Sequence, residues 1–258
     1  MTVLFIAFVS LAATMIGGIS GVGGVIIKPV LDAVSSMPVE TVSFLSGCTV
    51  LAMTVTSTIR SRNDEVKIDQ GRMVWLAIGA AVGGIAGKEL FEALLAVGGV
   101  TVSAAQQILM ILLTVGVLIY TLKRSSIVSL NVTNRILCTV IGLFLGILSS
   151  FLGIGGGPIN LAVLYYFFSM DTKTAALNSL YVILFSQSAS FLNTVLRNTI
   201  PQFDWVILIA MILCGILGGN LGRSLSRRMS SSAIDKLFIG LLIVITGISC
   251  YNLWQCFN

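Results

Sequence analysis

Residues 17–25 read GGISGVGGV and residues 152–159 read LGIGGGPI, and both glycine-rich segments interrupt long apolar stretches. Their glycines repeat at a spacing of 132 positions. The aligned residues are Gly21 with Gly153, Gly23 with Gly155, and Gly24 with Gly156. Each glycine costs about 1 kcal/mol of helix propensity relative to alanine. Helix stability therefore does not explain their positions, and the two segments predict a break in each of two apolar helices.

The composition is that of a polytopic membrane protein. Hydrophobic residues make up 56% of the chain, charged residues 10%, and the mean hydropathy is +1.02. The net charge of +5 comes from Lys and Arg residues between apolar runs, which indicates membrane topology rather than nucleic-acid binding. The N-terminal stretch lacks the basic region and cleavage site of a signal peptide, so we expect it in the mature fold. We expect a multi-pass protein of the plasma or inner membrane, with the lipid bilayer as a partner.

The chain offers little to a metal or a cofactor, and we expect neither. It has no histidine, and its five cysteines show no CxxC spacing. A Cys/His metal site is therefore excluded, and cysteines within apolar runs are typically small buried hydrophobic residues.

Eight hydrophobic blocks follow one another along the sequence. They are residues 2–34, 41–59, 73–97, 104–122, 136–169, 174–196, 203–221 and 236–257. The first and fifth blocks would each be ~50 Å long as a continuous helix, against a hydrocarbon core of ~30 Å. Each is expected to enter the membrane, break at its glycines and then either continue or turn back.

The distribution of basic residues favours a first and a fifth block that each turn back within the membrane. If all eight blocks simply cross, the loops on the two sides carry 8 and 6 basic residues, with Lys88 counted between the third and fourth blocks. If the first and fifth blocks enter and return, the two sides carry 12 and 2. The positive-inside rule then predicts hairpins at both breaks, with both termini outside.

The correspondence between the two halves predicts an internal repeat. We expect one transmembrane domain over residues 1–258, with repeat one at 1–122, repeat two at 133–258 and a basic cytoplasmic linker at 123–135. With an odd number of crossings and a hairpin in each, the second copy would be inverted relative to the first. The fold class is therefore an all-α helical bundle of two inverted repeats, each opening with a glycine-broken helix or hairpin.

The predicted breaks favour an anion. A helix that restarts near the membrane midplane directs unpaired N–H groups and a partial positive charge at the site. Asp32 and four other acids lie at block edges and the rest in loops, so no carboxylate is expected deep in an apolar run. A cation site or a buried proton relay would need such a carboxylate. Lys28 is the one strongly ionisable residue well inside a block, and it either faces the site, snorkels to an interface or pairs with Asp32.

Two other groups of residues have competing interpretations. Glycines of the third and seventh blocks are expected to pack helices closely: Gly79, Gly83, Gly84, Gly87, Gly218, Gly219 and Gly222. Polar residues of the second and sixth blocks either bind substrate or join helices by hydrogen bonds: Ser46, Cys48, Thr49, Asn178, Ser179 and Gln187.

These paired segments resemble the TauE/SafE family of membrane transporters. The resemblance rests on GVGGVIIKP and GIGGGPINL, each followed by a helix of small and polar residues, and on GGIAGKEL and GGNLGRSL later in each half. It spans nearly all 258 residues. It implies transport of sulfite or a related organosulfur anion. The chain departs from the usual family pattern at Lys28 and at Ser46–Cys48.

We therefore expect a secondary transporter, an exporter of sulfite, thiosulfate or an organosulfonate, working by alternating access at a midplane site. Its only predicted ligand is this small anion, and self-association into a homo-oligomer is left open. Two alternatives remain: an anion channel, and a membrane-embedded enzyme that handles sulfur through Cys48. The expected substrate-binding residues are Gly21, Gly23, Gly24, Lys28, Ser46, Cys48, Gly153, Gly155, Gly156, Gly157, Asn160, Asn178 and Ser179.

Overall fold

The computed structural model of the protein describes residues 3–61, 69–98, 100–153 and 156–256. Within these ranges the chain forms ten α-helices and a 3₁₀ turn at Arg124–Ser126. The helices are α1 Val3–Ser20, α2 Ile27–Val34, α3 Val39–Arg60, α4 Gln70–Gly98, α5 Val100–Lys123, α6 Arg135–Leu152, α7 Gly157–Phe168, α8 Thr172–Leu196, α9 Trp205–Arg228 and α10 Ser231–Gln255. All except α2 and α7 are long and apolar enough to cross a membrane. The chain is thus an all-helical polytopic bundle with eight candidate spans.

The two overlong blocks of the sequence each contain a long and a short helix. The first block holds α1 and α2, and the fifth holds α6 and α7. The short helices have 8 and 12 residues. At 1.5 Å per residue neither can cross a hydrocarbon core of ~30 Å.

Helices α1, α3 and α9 run in the same direction, because residue numbers rise together along their contacts. The pairs are Thr14 with Cys214 and Ile19 with Ser226 for α1 and α9, and Thr49 with Gly215 and Met53 with Gly219 for α3 and α9. Since α1 and α3 are parallel, the chain turns back between them, in the stretch that contains α2.

Helices α4, α6 and α8 form a second parallel set. The pairs are Gly79 with Thr139 and Gly87 with Ile147 for α4 and α6, and Gly84 with Ser186 and Glu89 with Arg197 for α4 and α8. This set runs opposite to the first, because Phe44 of α3 stacks on Phe191 of α8 while Gly47 approaches Gln187. The chain also turns back between α6 and α8, and the end of α7 lies beside the start of α6, where Leu130 N donates to the Tyr166 carbonyl.

One end of the bundle gathers most basic residues, and we call it the basic end. It is formed by the ends of α3, α5, α7 and α9 and the starts of α4, α6, α8 and α10. Its basic residues within the described ranges include Arg60, Arg72, Lys123, Arg124, Arg135, Lys173, Arg227, Arg228 and Lys236. The opposite end carries the α2–α3 and α8–α9 connections, where Arg197 lies.

Polar caps fix where four of the later helices begin. A side-chain oxygen of the preceding residue accepts a backbone N–H of the first turn in each case. The capping residues are Asn134 for α6, Asp171 for α8, Asp204 for α9 and Ser230 for α10.

Glycines let two helix pairs approach closely, as predicted. A methyl group on Gly83 of α4 would lie 2.1 Å from the Leu143 carbonyl oxygen of α6, and one on Gly222 of α9 would lie 2.1 Å from that of Met15 in α1. The other five glycines of this prediction also face neighbouring helices: Gly79, Gly84, Gly87, Gly218 and Gly219. Their role in close packing is confirmed.

Candidate functional site

The segment between α1 and α2 turns on two glycines in the left-handed region. Gly21 has φ +80° and Gly23 has φ +66°, which side chains rarely adopt. Gly21 also lies against the backbone of Ala176 in α8, where a methyl group would come within 2.3 Å of Cα. Gly24 follows with Val50 of α3 beside it. The predicted glycines therefore hold this turn against α3 and α8.

The segment between α6 and α7 also turns on two glycines in the left-handed region. Gly153 has φ +66° and Gly156 has φ +73°. Gly155, the third predicted glycine here, lies outside the described residues. Pro158 follows in the first turn of α7. Backbone N–H groups in a first turn have no partner within the helix, so the absence of an N–H in proline costs nothing there.

The two turns touch each other. A methyl group on Gly157 would lie 1.9 Å from the Val22 carbonyl oxygen, so only a glycine fits there. Gly23 in turn lies near Val50 and Ile183, which are in the middle of α3 and α8. The α1–α2 turn and the start of α7 consequently meet at mid-depth of the bundle.

A cavity of about 280 Å³ lies between this meeting point and the opposite end of the bundle. Helices α3, α4, α6 and α8 contribute most of its wall. Its polar lining includes Ser43, Cys48, Lys88, Gln187, Ser190 and Thr194. Gly153 belongs to the wall as well, so the second turn borders the cavity directly. Glu40 and Glu92 complete the charged lining.

Lys88 is the cation of this cavity. Its ammonium donates to the Thr194 hydroxyl and lies 3.7 Å from Glu92 Oε1. Ser190 donates to the Gly84 carbonyl and lies 2.9 Å from the Ser150 hydroxyl, so these two hydroxyls are engaged. The buried Ser43 hydroxyl oxygen, by contrast, has no hydrogen-bond partner within the protein.

The structure brings some of the predicted residues to this cavity and not others. Cys48 and Gly153 line it. Ser46 is buried one turn from Ser43 and donates to the Ser43 carbonyl. Asn160 is buried beside Gly156, and its Oδ1 has no partner.

Asn178 and Ser179 lie away from the cavity, near the basic end. Asn178 Nδ2 donates to the Thr174 carbonyl, and its Oδ1 accepts from Asp69 N at the start of α4. For Asn178 the alternative of interhelical hydrogen bonding is thus the one observed. Ser179 is fully buried, and its hydroxyl has no partner.

Lys28 does not line the cavity. Its Nζ lies 2.5 Å from Asp32 Oδ2 and 3.3 Å from Gln106 Oε1. The alternative of pairing with Asp32 is confirmed. The sequence placed Asp32 at the edge of its apolar block, and the structure buries it there, with its side chain only 9% exposed. A single turn of helix brings Asp32 back onto the buried face that holds Lys28.

Sequence reasoning missed most of the cavity wall. Lys88 was counted in a loop between the third and fourth blocks, although the third block, residues 73–97, contains it, and the structure places it inside α4, which continues to Gly98. The Lys88 and Glu92 spacing of one helical turn was the available signal. Ser43, Ser190 and Thr194 carry no such pattern, since isolated hydroxyls in apolar helices more often bond to their own backbone.

Among the described residues, no group of three or more Cys, Asp and Glu side chains is placed to hold a metal ion.

Comparison with known proteins identifies one family. A family model described as "Sulfite exporter TauE/SafE" matches residues 6–249. Two proteins of Xylella fastidiosa, strains 9a5c and Temecula1, are each 30% identical over 119 and 117 residues, and each is named "Probable membrane transporter protein". The "Probable membrane transporter protein YunE" of Bacillus subtilis is 25% identical over 105 residues.

These alignments cover 41–45% of this chain and 37–43% of the relatives. The matched part thus spans less than half of each curated relative. No solved structure matches significantly. The family and these relatives are transporters, not enzymes, by their names.

Proposed function

The chain belongs to the TauE/SafE sulfite exporter family, and from this premise we propose that it is a secondary transporter that exports a small sulfur-containing anion such as sulfite, thiosulfate or an organosulfonate. The observation that carries the proposal is the Lys88 ammonium in a cavity bordered by the second glycine turn.

The cavity supplies several hydrogen-bond donors. Lys88 has three N–H bonds, of which the Thr194 hydroxyl occupies one. Ser43 has an unpaired hydroxyl, and Gln187 faces the same space. Such donors suit an oxoanion, whose oxygens accept hydrogen bonds from several directions. A bound anion would replace Glu92, which at 3.7 Å is too distant for a strong hydrogen bond to Lys88.

The size of the cavity favours a small ligand. Its volume of about 280 Å³ lies at the lower limit of ~300–1,000 Å³ that is usual for small-molecule pockets. An inorganic oxoanion or a two-carbon sulfonate fits this space together with some water. The aromatic rings of Phe44, Phe91 and Phe191 form its apolar side and suit an organic substituent.

For the mechanism we propose alternating access between two inverted repeats. Each half of the chain contains a long helix, a short helix and three further long helices. α1 and α6 open the halves and belong to oppositely directed sets, which supports the inversion. The contact of Gly157 with Val22 supports a site between the repeats, because the two turns would move relative to each other as access alternates.

We place the basic end in the cytoplasm of a cell whose plasma or inner membrane holds the protein. The basic residues at the helix ends of this face support that orientation. Both termini and the cavity mouth would then be outside.

Transport by purified protein in vesicles tests the proposal. Substitution Lys88→Met should raise the half-saturating concentration of thiosulfate or sulfite roughly 10- to 100-fold, since a hydrogen bond to a charged group contributes about 1.5–3 kcal/mol. Lys88→Arg should retain most of the activity. Arg197→Gln is the matched control, because Arg197 lies at the same end but is 53% exposed and outside the cavity.

Absence of saturable flux for any sulfur anion in the wild type would overturn the proposal. Counterflow, in which unlabelled anion inside the vesicle accelerates entry of labelled anion, separates a carrier from the channel alternative.

A further inference from the structure

The most buried ion pair of the described residues lies just behind the cavity wall. The Lys28 and Asp32 side chains, one turn apart on α2, are 2% and 9% exposed, and their charged atoms are 2.5 Å apart. Asp32 Oδ1 is also buried and has no hydrogen-bond partner. Every other carboxylate in the described ranges is about one-third or more exposed.

This pair contacts the turn that borders the cavity. A methyl group on Gly153 would lie 2.9 Å from Lys28 Cε and 3.1 Å from the hydroxyl oxygen of Ser43, so the lysine side chain packs against Gly153 beside the cavity wall. Gln106 of α5 accepts from Lys28 Nζ and donates 2.7 Å to the Phe151 carbonyl in the last turn of α6. The pair is therefore next to two residues of the cavity wall, Gly153 and Ser43, and a change in its charge alters the electrostatic potential in the cavity.

The second half of the chain has no counterpart of this pair. At the spacing of 132 positions, Lys28 corresponds to Asn160 and Asp32 to Leu164. Both of these residues are buried, as Lys28 is. The same helix in the second half is thus built without charges, so the short helix does not need an ion pair to pack.

Stability does not account for the pair either. Removing two charges from water costs free energy that a buried ion pair barely recovers, and apolar replacements are often as stable. Ionisable residues inside membrane proteins instead mark ion pathways and proton sites. A carboxylate with one unpaired oxygen can accept a proton at that oxygen.

We propose that Asp32 is a proton-binding site and that its protonation promotes anion binding in the cavity; this inference rests on the proposed function. The proton adds to a carboxylate oxygen of Asp32 and later leaves from the same atom, with no other bond made or broken. The pair is neutral before protonation and carries one positive charge afterwards, on Lys28. That charge attracts an anion in the cavity, whose wall includes Gly153 beside Lys28.

Few other charged or titratable groups face the pair. On the packed helices, α1 has none, α3 has Glu40 and Arg60 at its two ends and Cys48 between them, and α5 has Tyr120 and Lys123 near the basic end. α10 carries Asp235 and Lys236 near its start and Cys250 and Tyr251 near its end, and the Cys256 thiol that follows interacts electrostatically with both members of the pair. Among the carboxylates of the described residues, Asp32 is the one that lies directly beside the Lys28 ammonium.

Proton and anion would consequently be carried together. Each ligand increases the affinity for the other, because linkage between two sites is reciprocal. The direction of net flux then follows the sum of the two gradients, and an anion produced inside the cell as an acid would leave with its proton.

Thiosulfate uptake into vesicles tests this inference, because thiosulfate keeps its charge between about pH 6 and about pH 8, so a change in affinity over this range reports a proton bound by the protein. For the wild type we expect a half-saturating concentration about tenfold lower at the acidic limit, within the usual range of coupling. A pH-sensitive dye inside the vesicle should report acidification as thiosulfate enters.

The decisive variant gives the first half the residues of the second: Lys28→Asn together with Asp32→Leu. Transport should persist, while the pH dependence of affinity and the internal acidification are lost. Lys28→Met with Asp32→Leu is a second, wholly apolar version should the first fail to fold. Glu89→Gln with Arg197→Gln removes an exposed ion pair at the same end and should retain the wild-type pH dependence.

The outcomes separate the two proposals. Wild-type pH dependence retained in the folded double variant overturns the proton site and leaves anion transport standing. A half-saturating concentration for the wild type that is equal at the acidic and alkaline limits also overturns the proton site and leaves anion transport standing. Absence of any wild-type flux overturns the proposed function, and the proton site with it.

Discussion

Single glycines in this protein serve two different physical purposes. Gly23 has a positive φ but open space, since a methyl group would meet only ordinary contacts at 3.4 and 3.5 Å. Gly157 has no such φ, yet a methyl group there would collide with the Val22 backbone. One glycine permits a backbone conformation, and the other permits two segments to touch.

This difference predicts different costs for the same substitution. Gly23→Ala should destabilise the protein by about 1–2 kcal/mol, the cost of a left-handed residue with a side chain. Gly157→Ala should cost more, because the backbone of Val22 cannot move as a side-chain tip can. Thermal unfolding in detergent measures both. Equal losses would show that the contact between the two turns is not close in the folded protein.

At the scale of elements, polar caps decide where helices start at the basic end. Asp171 is the clearest case, since its carboxylate accepts hydrogen bonds from Thr174 N at 3.0 Å and from the Thr174 hydroxyl at 2.7 Å. Partial burial raises the pKa of Asp171, but these hydrogen bonds to the charged form outweigh burial and hold its pKa below the usual value. The ionised cap thus stabilises α8.

Asp171→Ala should lower stability by about 1 kcal/mol at neutral pH. Because the pKa is lowered on folding, the advantage of the wild type is complete above the unfolded value of about 3.9 and disappears as the pH falls through the folded value. Unfolding of the two proteins at a series of pH values measures this. Asp171→Asn is the control, since asparagine also caps helices without titrating. A constant difference down to strongly acidic pH would contradict the role of charge.

At the scale of the whole molecule, the direction of the helices defines two ends. One consequence concerns orientation in the membrane. Ser36 lies in the α2–α3 connection and is exposed, and Val128 lies in the α5–α6 connection and is 87% exposed. The two connections are at opposite ends of the bundle.

With the basic end in the cytoplasm, a membrane-impermeant thiol reagent applied to intact cells should label Ser36→Cys above the parent chain. It should label Val128→Cys only after the membrane is permeabilised. The parent chain corrects for its own cysteines, of which Cys250 is exposed. The reverse pattern would place both termini in the cytoplasm and overturn the assignment made from charge.

Much of the fold could be predicted from the sequence, because the bilayer constrains it strongly. Apolar length alone gave eight blocks, and the structure contains eight candidate spans. The close packing at Gly83 and Gly222 could be predicted as well, since small residues at helical spacing have few other uses in membrane helices. The family could be identified from the repeated glycine segments.

The cavity could not be predicted in the same way. Gly153 and Cys48 were expected at the site and line it, but Asn178 lies near the basic end and Lys28 pairs with Asp32 outside the lining. Lys88 was counted in a loop when the basic residues were assigned to the two sides, although the third block, residues 73–97, contains it. A lysine can lie within a membrane helix when its ammonium has polar partners. Here Glu92, one turn further along α4, forms an ion pair with Lys88, and the Thr194 hydroxyl of α8 accepts a hydrogen bond from it.

The sequence by itself determined that the chain is a helical membrane protein of the TauE/SafE family with two glycine turns at matching positions. These properties depend on composition, on the length of apolar segments and on local backbone freedom, and all three follow directly from the order of the residues. Only the tertiary structure decided that the turns touch at Gly157 and Val22, that Lys88 faces the cavity and that Asp32 neutralises Lys28. Which face of a helix meets a cavity depends on rotation and on packing partners far apart in sequence, and no local pattern specifies either.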